Sequence, residues 1–378
     1  MKKRYLLQLA FIIVLAYGCK EKYEPPVIKT DLSALVVDGF LNASNDTTFI
    51  WLSHTQKISE GVNNSQESGA QITVEDASGN TLYNFQQLND GGVYIVPGMN
   101  LDVTNKYRLR ITRQNGKQYV SDEIPVIKTP PIDSISFGKV NNQLYVYSNT
   151  HDPNNNTWYY RWEYTETWQY HAAYASTLIA INGAIYNREP KDYVYQCWKT
   201  QRSNQILLAT STKLAEDVIY QNPLRQSDVN GVEFSEKYFI NLRQFALTKE
   251  AYEYLQNLKR ITEQTGSLFD AQPSQLTGNM HAINDPNETV LGYITASTQE
   301  VKQRYITNAD VQPWVYDPRC AVIEIPIDKI DGAFTDNGLI PLSWDGSPLM
   351  PKGIFVTTRE CGDCTYLGGV TTKPDFFQ

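Results

Sequence analysis

The chain has 378 residues, of which 41% are hydrophobic, and its 33 basic residues against 41 acidic ones give a formal net charge of −8. This acidic balance argues against nucleic acid or an anionic lipid surface as the main partner. The length predicts two or three domains, and the 25 tyrosines, 13 phenylalanines and 7 tryptophans are typical of β-rich exported proteins.

The first residues have the pattern of a bacterial lipoprotein signal peptide. Three basic residues at positions 2–4 precede a run over 6–16 that is apolar except for Gln8, has the length of a signal-peptide core and is too short to span a bilayer. Gly18 then places a small residue directly before Cys19. We predict that residues 1–18 are removed and that Cys19 is lipidated. The alternative is an ordinary secretory signal with a coincidental cysteine.

Residues 19–31 are charged, contain two adjacent prolines and show no apolar period, which is typical of a tether. Acyl chains on Cys19 would attach the body of the protein to a membrane through this tether. The string "CKEKYE" resembles the surface-export signal of Bacteroidota lipoproteins. We therefore expect a lipid-anchored protein of the outer membrane that faces the cell exterior.

Residues 32–130 have the pattern of an immunoglobulin-like β-sandwich. In "AQITVED" and "YRLRITR" apolar and polar residues alternate with period two, as expected for strands with one wet face. Asn115 and Gly116 supply a tight hairpin turn, and "ALVVDGFL" and "TFIWLS" predict further strands. The string "KTPPIDS" at 128–134 has the features of a linker, because its two prolines favour extended chain.

Residues 131–378 predict a second, larger β-rich domain of sandwich type with a helical insertion. The aromatic string "TWYYRWEYTETWQY" places alternate large rings on one strand face. These rings either form a ligand-stacking platform, with Trp158, Trp162, Trp168 and Tyr170 as candidate ligand residues, or fill a core. Residues 170–235 show little period and predict a long excursion from the sheet.

One substantial helix is expected after a strand over 237–246. Thr248 is a helix-capping residue type, and Gly266 is the expected end of the helix. Ala251, Leu255, Leu258 and Ile261 recur at spacings of four, three and three, which places them on one face. Further strands are expected near 291–297, 320–326 and 352–357.

After Cys19, four cysteines remain, and an even number outside the cytoplasm favours two disulfides. The pair in "ECGDC" suits half a zinc site, but Cys197 and Cys320 are isolated rather than paired at a similar spacing. Three disulfide pairings are open. We favour Cys361–Cys364 with Cys197–Cys320, because two cysteines in a CxxC pattern can close locally.

The sequence contains no motif of a known catalytic site, and we expect a protein that is not an enzyme and has no cofactor or metal. The strings "HDPNNN" and "NDPNE" are interpreted as solvated turns rather than calcium loops, which need more carboxylates at alternate positions. Two short strings, "DTT" and "DSI", resemble the O-glycosylation pattern of Bacteroidota, with Thr47 and Ser134 as acceptors.

Several stretches together resemble one family. They are the lipid cysteine with its Pro-containing tether, "LVVDGFL", "CW" at 197–198, "RQFALTKEAYEYL", "GSLFDAQPSQLTGNMHAINDPNETVLGYITAS" and the terminal "CGDCTYLGGVTTKPDFF". The resemblance is to the Bacteroidota outer-membrane lipoproteins grouped as domain of unknown function four-two-four-nine. It covers nearly the whole chain after residue 18. Where the family commonly has a terminal Trp, this chain has Phe377.

The resemblance implies a two-part β-rich surface lipoprotein, of a kind commonly encoded beside TonB-dependent outer-membrane receptors. It implies neither a reaction nor a ligand. We therefore expect a non-enzymatic binding or scaffold accessory of such a receptor barrel in uptake or assembly. The alternative is a glycan- or peptide-binding lipoprotein that delivers its own ligand. Burial of Trp158, Trp162 and Trp168 would favour the first function, and an open groove lined by them would favour the second.

Overall fold

The computed structural model describes residues 33–56, 65–89, 91–263, 276, 278–334 and 338–377. Cys19, the predicted signal peptide and the predicted tether lie outside these residues, as does Gly266. The predicted mainly β class is confirmed: the described chain forms two β-sandwiches and one long helix.

The strands before residue 130 are β1 (Leu35–Gly39), β2 (Leu41–Asn42), β3 (Thr48–His54), β4 (Gln71–Asp76), β5 (Thr81–Asn84), β6 (Gln86–Asn89), β7 (Val93–Val96), β8 (Lys106–Thr112), β9 (Gln118–Ser121) and β10 (Ile124–Ile127). Those from 131 to 247 are β11 (Ile132–Val140), β12 (Gln143–His151), β13 (Tyr159–His171), β14 (Leu178–Ile181), β15 (Ala184–Asn187), β16 (Gln196–Arg202), β17 (Leu207–Thr210), β18 (Val218–Gln226) and β19 (Lys237–Ala246). The later strands are β20 (Met280–Ala282), β21 (Val290–Leu291), β22 (Ala296–Ser297), β23 (Gln299–Thr307), β24 (Ile323–Pro326), β25 (Leu339–Ser347) and β26 (Met350–Thr358). The α-helices are α1 (Lys249–Glu263) and α2 (Arg359–Gly362).

The first sandwich packs two sheets around one apolar core. Its first sheet has the order β21-β1-β3-β7-β6, and its second has the order β2-β22-β10-β8-β4-β5, with β9 beside β8 and β20 beside β9. The predicted alternation of apolar and polar residues places Ile72, Val74, Leu109 and Ile111 of β4 and β8 in this core. The other face of β8 is partly exposed as expected, whereas in β4 the polar Thr73 and Glu75 are buried as well, so the expected wet face of β4 is not observed.

The first sandwich is completed by a segment from the later part of the chain. Strand β20 pairs with β9, and β21 pairs with β1. Strand β22 pairs with both β10 and β2. The sequence placed this segment in the domain 131–378, whereas its strands and Ile294 belong to the core of the first sandwich. The pairing of β21 with β1 and of β22 with its partners is parallel, and local sequence patterns do not indicate such long-range pairs.

The second sandwich packs β11-β12-β18 against β16-β13-β19-β23, with β17 also beside β13. Strand β19 matches the predicted strand at 237–246. The prediction of an irregular excursion over 170–235 was wrong, because this stretch contains β14 to β18. These strands lack clean alternation, since several residues in β16 and β18 are exposed on both faces.

Thr248 caps helix α1 as predicted. Its Oγ1 accepts a hydrogen bond from the Ala251 backbone N–H at 3.2 Å, and the helix begins at the next residue, Lys249. Ala251 is buried, and Leu255, Leu258 and Ile261 on the same face are half-buried. The helix lies beside β13, where Tyr252 packs on Tyr159 with ring centroids 5.1 Å apart. The predicted apolar face is therefore the packed face.

The four cysteines form two disulfides, but the pairing that we favoured from the sequence was wrong. The bridges are Cys197–Cys364 and Cys320–Cys361. Cys361 lies in α2 and Cys364 begins a 3-10 turn, and the residue between these elements, Asp363, is extended at φ −136° and ψ 104°. Because of this extended residue, Cys361 and Cys364 lie next to different partners, Cys320 and Cys197, and do not form a disulfide with each other.

The end of the chain folds back on the second sandwich. Val370 forms a bridge with Trp198, and Phe377 is buried against Trp198 and Phe239. The sheet β24-β26-β25 lies beside this segment and shares a small core with Leu178 of β14. The terminal motif noted in the sequence therefore covers one part of the outer face of the second sandwich.

Candidate functional site

The two sandwiches enclose an open cleft of about 850 Å³. One wall is the outward face of the first sheet of the first sandwich, and the facing wall is the outward face of β13 and β19. Helix α1 and the turn 203–206 close one side. At the base, Phe40 packs edge-on against Phe245 with centroids 4.5 Å apart, so the two sandwiches touch there. A volume of this size is typical of small-ligand and peptide sites.

The first wall carries two stacked aromatic rings. Ile50 and Leu52 of β3 are buried in the sandwich core, so the alternating Phe49 and Trp51 point outward into the cleft. They are 36% and 39% exposed, and their rings stack with centroids 5.7 Å apart and planes 19° apart. Large aromatic rings that remain exposed on a sheet face supply rigid contact area for a ligand.

The facing wall carries charged side chains in register across neighbouring strands. Glu163 of β13 lies opposite Arg243 of β19, and Arg243 Nη2 lies 3.2 Å from Glu163 Oε2. Arg161 donates to the other oxygen of the same carboxylate, and its guanidinium lies 5.9 Å from the centre of the Phe245 ring. Arg202 at the end of β16 completes the set of guanidinium groups in the cleft.

Helix α1 holds the turn that forms the side of the cleft. Glu263 Oε1 accepts from the Ile206 backbone N–H at 2.7 Å, and Lys259 Nζ donates to the Ile206 carbonyl at 2.7 Å. The Tyr254 ring packs on Tyr293 with centroids 5.3 Å apart, and burial raises the pKa of Tyr254. Leu255 and Leu258 face the cleft from the helix. The helix is therefore a structural part of the site.

The candidate ligand aromatics do not form an open platform. Trp162, Trp168 and Tyr170 are buried in the core of the second sandwich, and Trp158 is half-buried just before β13. Trp162 Nε1 donates to Gln244 Oε1 at 2.8 Å, and the Tyr170 hydroxyl donates to the Cys364 carbonyl at 2.7 Å. Burial raises the pKa of Tyr170 to about 12. Aromatic alternation in β13 thus fills a core, which the sequence left open.

The two candidate glycosylation residues are both half-buried. Thr47 lies at the edge of the cleft, directly before β3. The Ser134 hydroxyl in β11 accepts from Asn149 Nδ2 at 3.0 Å. Their modification stays a prediction.

Two clusters of ionisable groups lie inside the second sandwich, away from the cleft. Glu166 is buried and accepts hydrogen bonds from Arg225 Nε and from the Tyr238 hydroxyl, both at 2.7 Å. Burial raises the pKa of Tyr238 well above its ordinary value. Asp217 accepts from the hydroxyls of Tyr160 and Ser211, and burial raises the pKa of Asp217. Both clusters are enclosed networks whose charged groups have partners.

Over the described ranges there is no group of three or more His, Cys, Asp and Glu side chains placed to hold a metal ion. Among the helices of the described residues, none has the length and apolar character needed to cross a membrane.

The stacked rings and the guanidinium groups of the cleft were not identified as a site from the sequence. The alternation in "TFIWLS" already places Phe49 and Trp51 opposite two aliphatic residues, and large aromatics on the wet face of a strand are the signal that could have found them. The meeting of these rings with Arg161, Arg202 and Arg243 could not be found in this way. The rings lie on β3 and the guanidinium groups on β13, β16 and β19, more than 100 residues later in the chain, and only the packing of the sandwiches brings them together.

A family model described as "Domain of unknown function (DUF4249)" matches residues 20–303. None of the curated proteins matches this chain. Among solved structures, a segment of two fibronectin type-III domains from chicken tenascin is 13% identical, with 56% of this chain and 89% of that chain covered and a TM-score of 0.17. Escherichia coli alpha-2-macroglobulin activated by porcine elastase is 9% identical, with 57% of this chain and 18% of that chain covered and a TM-score of 0.21. At such TM-scores the description of the fold rests on the strand pairing of this chain.

Proposed function

Because this chain belongs to the family described as a domain of unknown function (DUF4249), which names no activity, we propose its function from its own architecture. It is a non-enzymatic, surface-exposed lipoprotein of the outer membrane. It binds a TonB-dependent receptor barrel and acts as its accessory in uptake or assembly.

The observation that carries this proposal is the open cleft between the two sandwiches. Its walls are outward sheet faces that each sandwich would otherwise leave to solvent, and they present stacked rings on one side and guanidinium groups on the other. Both walls belong to paired strands rather than to loops, so the binding groups are held on rigid elements. A preformed concave site of this composition suits recognition of another molecule.

Burial of the β13 aromatics supports a protein partner. Trp162 and Trp168 pack inside the second sandwich, so they do not offer the row of flat rings on which sugars stack. The partner would instead meet the mixed surface of the cleft. Aromatic residues and arginine are the side chains that most often dominate the energy of protein–protein interfaces.

The proposed lipid anchor supports a partner in the same membrane. Confinement of both molecules to one membrane raises their effective concentration, so a modest interface is enough to hold them together. The acidic body of the protein disfavours adhesion to anionic head groups. The resemblance to receptor-associated lipoproteins supplies the class of partner.

Affinity purification from outer membranes of the native host tests this proposal. The full-length protein is tagged at its C-terminus, extracted in mild detergent and analysed by mass spectrometry. We expect a TonB-dependent barrel at comparable abundance to the tagged chain. Recovery of the tagged chain without a barrel would contradict the proposed binding to the receptor.

The stacked Phe49 and Trp51 favour a second candidate, a lipoprotein that captures a glycan or peptide and delivers it. Titration of the purified protein with glycans and peptides from the growth medium tests it. If protein purified from a strain without the barrel still binds one of these ligands, and if Trp51→Ala abolishes that binding, delivery of a ligand is favoured over partnership with the receptor.

A further inference from the structure

The cleft is more positive than the protein that surrounds it. The charged side chains that line it are Arg161, Arg202 and Arg243 against Glu163 and Asp38, whereas the chain as a whole carries a net charge of −8. Asp38 lies on β1 in the opposite wall. A local excess of guanidinium groups in an acidic protein indicates a site for an anionic group.

Arg202 is the guanidinium that remains available. Glu163 already interacts with Arg161 and Arg243, so its carboxylate is fully engaged. Arg202 is exposed, and its side chain has no hydrogen-bond or ion-pair partner among the described residues. Its backbone is nevertheless fixed, because the next residue, Ser203, donates its N–H to the Tyr164 carbonyl at 2.8 Å. A fixed backbone with an unpaired guanidinium suits bidentate binding of a carboxylate.

The opposite wall has the complementary chemistry. Phe49 and Trp51 offer an apolar stacked surface, and Leu258 of α1 adds an apolar residue at the side of the cleft. A chain in extended conformation points successive side chains to opposite sides. An extended segment in the cleft would therefore direct alternate side chains to the guanidinium wall and to the aromatic wall.

We propose that the cleft binds an extended acidic segment of the partner protein, in which carboxylates alternate with apolar side chains. A carboxylate of that segment pairs with Arg202, and an apolar side chain packs on Phe49 and Trp51. This inference rests on the proposed binding function and adds the chemistry of the segment that is bound.

Titration with synthetic peptides tests the inference. The probe is an acetylated and amidated octapeptide of alternating Glu and Leu, and its control is the same peptide with Gln in place of Glu. We expect the Glu peptide to bind the full-length protein about threefold more tightly, because a hydrogen bond between a guanidinium and a carboxylate is stronger than one between a guanidinium and a neutral amide, and solvent screens the charges of an exposed pair. We also expect its affinity to fall as salt is raised.

Matched variants locate the binding. Arg202→Glu should weaken binding of the Glu peptide at least about tenfold, whereas Lys213→Glu, which makes the same charge change at an exposed residue outside the cleft, should leave it within twofold. The affinity of Arg202→Lys for the Glu peptide should lie between that of Arg202→Glu and that of the wild type. Trp51→Ala should weaken binding severalfold, and Tyr220→Ala, which removes a more exposed ring outside the cleft, should not.

Three results of the titrations would overturn the inference. The first is equal affinity for the Glu and Gln peptides, and the second is an equal loss of peptide affinity in Arg202→Glu and Lys213→Glu. The third is tight binding of oligogalacturonate without detectable binding of either peptide, which would assign the cleft to an acidic glycan.

Co-purification separates this inference from the proposed function. If the wild type and Arg202→Glu recover the barrel equally, the cleft is not the docking site but the receptor partnership stands. If the wild type recovers no barrel, the proposed receptor partnership is contradicted, whatever the result of the peptide titrations.

Discussion

At the scale of single residues, strand alternation decides which side chains are dry and which are wet. Ile50 and Leu52 face the core while Phe49 and Trp51 face the cleft, because successive side chains of β3 point to opposite faces. The same rule buries Trp162 in β13 and leaves Arg161 and Glu163 in the cleft wall. Residue type alone does not separate the two outcomes, since aromatic rings occur on both kinds of face.

A carboxylate in the first sandwich makes the stability of the protein depend on pH. Burial acts to raise the pKa of Glu67, but hydrogen bonds from Arg113 and His54 outweigh burial and hold this pKa below its ordinary value of 4.5. Arg113 binds both oxygens, at 2.8 and 2.9 Å. The stabilisation is therefore present above about pH 4.5 and is lost as pH falls through the lowered pKa of the folded state.

We predict that Glu67→Gln lowers the free energy of unfolding by about 2 kcal/mol at pH 7, since hydrogen bonds to a charged partner are lost. The deficit should shrink as pH falls below 4.5, because the wild-type carboxylate becomes neutral there. Urea unfolding at pH 7 and pH 3 measures both effects. Glu123→Gln, which removes a more exposed ion pair with Arg108, is the control and should cost less than about 1 kcal/mol. Equal deficits at the two pH values would contradict the assignment.

At the scale of elements, distant segments complete each sandwich. Strands β20 to β22 return to the first sandwich after the whole of β11 to β19, and the C-terminal segment covers the second sandwich. Close backbone approach makes the return possible. Gly292 has a φ of +134°, and a Cβ there would collide with the Val37 carbonyl of β1, while a Cβ at Gly278 would collide with the Gly292 carbonyl. Gly278 and Gly292 of the family-like string therefore serve the fold.

We predict that Gly292→Ala destabilises the protein by more than about 2 kcal/mol, because it adds a clash with backbone and a strained φ. Gly138→Ala is the matched control, since Gly138 lies in β11 and its Cβ would meet only an ordinary contact with the Tyr147 ring. Thermal unfolding of both variants provides the measurement. Similar melting temperatures for the two would show that the returning segment does not need glycine at 292.

The disulfides tie the C-terminal segment to elements far along the chain. Cys197–Cys364 joins β16 to the turn after α2, and Cys320–Cys361 joins the chain before β24 to α2. We predict that digestion without reduction, by a protease that cuts before Asp363 and so separates Cys361 from Cys364, yields these two cross-linked peptide pairs in mass spectrometry. Removing the first bridge with Cys197→Ala and Cys364→Ala should cost about 2–4 kcal/mol, since it closes a separation of 167 residues. A peptide that carries an internal Cys361–Cys364 bond would contradict the structure.

At the scale of the whole molecule, the arrangement of the two sandwiches creates the candidate site. The cleft lies between the two sandwiches, where Phe40 meets Phe245 at its base while α1 closes one side. Variants at the base should therefore alter the site without touching the proposed ligand groups. A site of this kind belongs to the assembly of domains rather than to either domain.

The anchor proposed at Cys19 is a property of the whole molecule, because it decides which partners the body can meet. We predict that Cys19→Ala moves the protein from the membrane to the soluble fraction and lowers recovery of the barrel. Fractionation and mass spectrometry of the N-terminal peptide provide the measurement. Cys197→Ala with Cys364→Ala serves as the control for loss of cysteine, since it should leave the anchor in place. Membrane retention of Cys19→Ala without an acylated peptide would disprove lipidation at this residue.

The sequence by itself determined the β-rich class, the strands with clean alternation, the cap and packed face of α1 and the membership of the family. These features depend on local periodicity and on residue types within one element, which are visible along the chain. Only the tertiary structure decided the disulfide pairing, the return of β20 to β22, the burial of Trp162 and Trp168, and the meeting of Phe49 and Trp51 with Arg202. Each of these depends on contacts between residues far apart in sequence, and such contacts are set by the packing of whole sheets rather than by any local pattern.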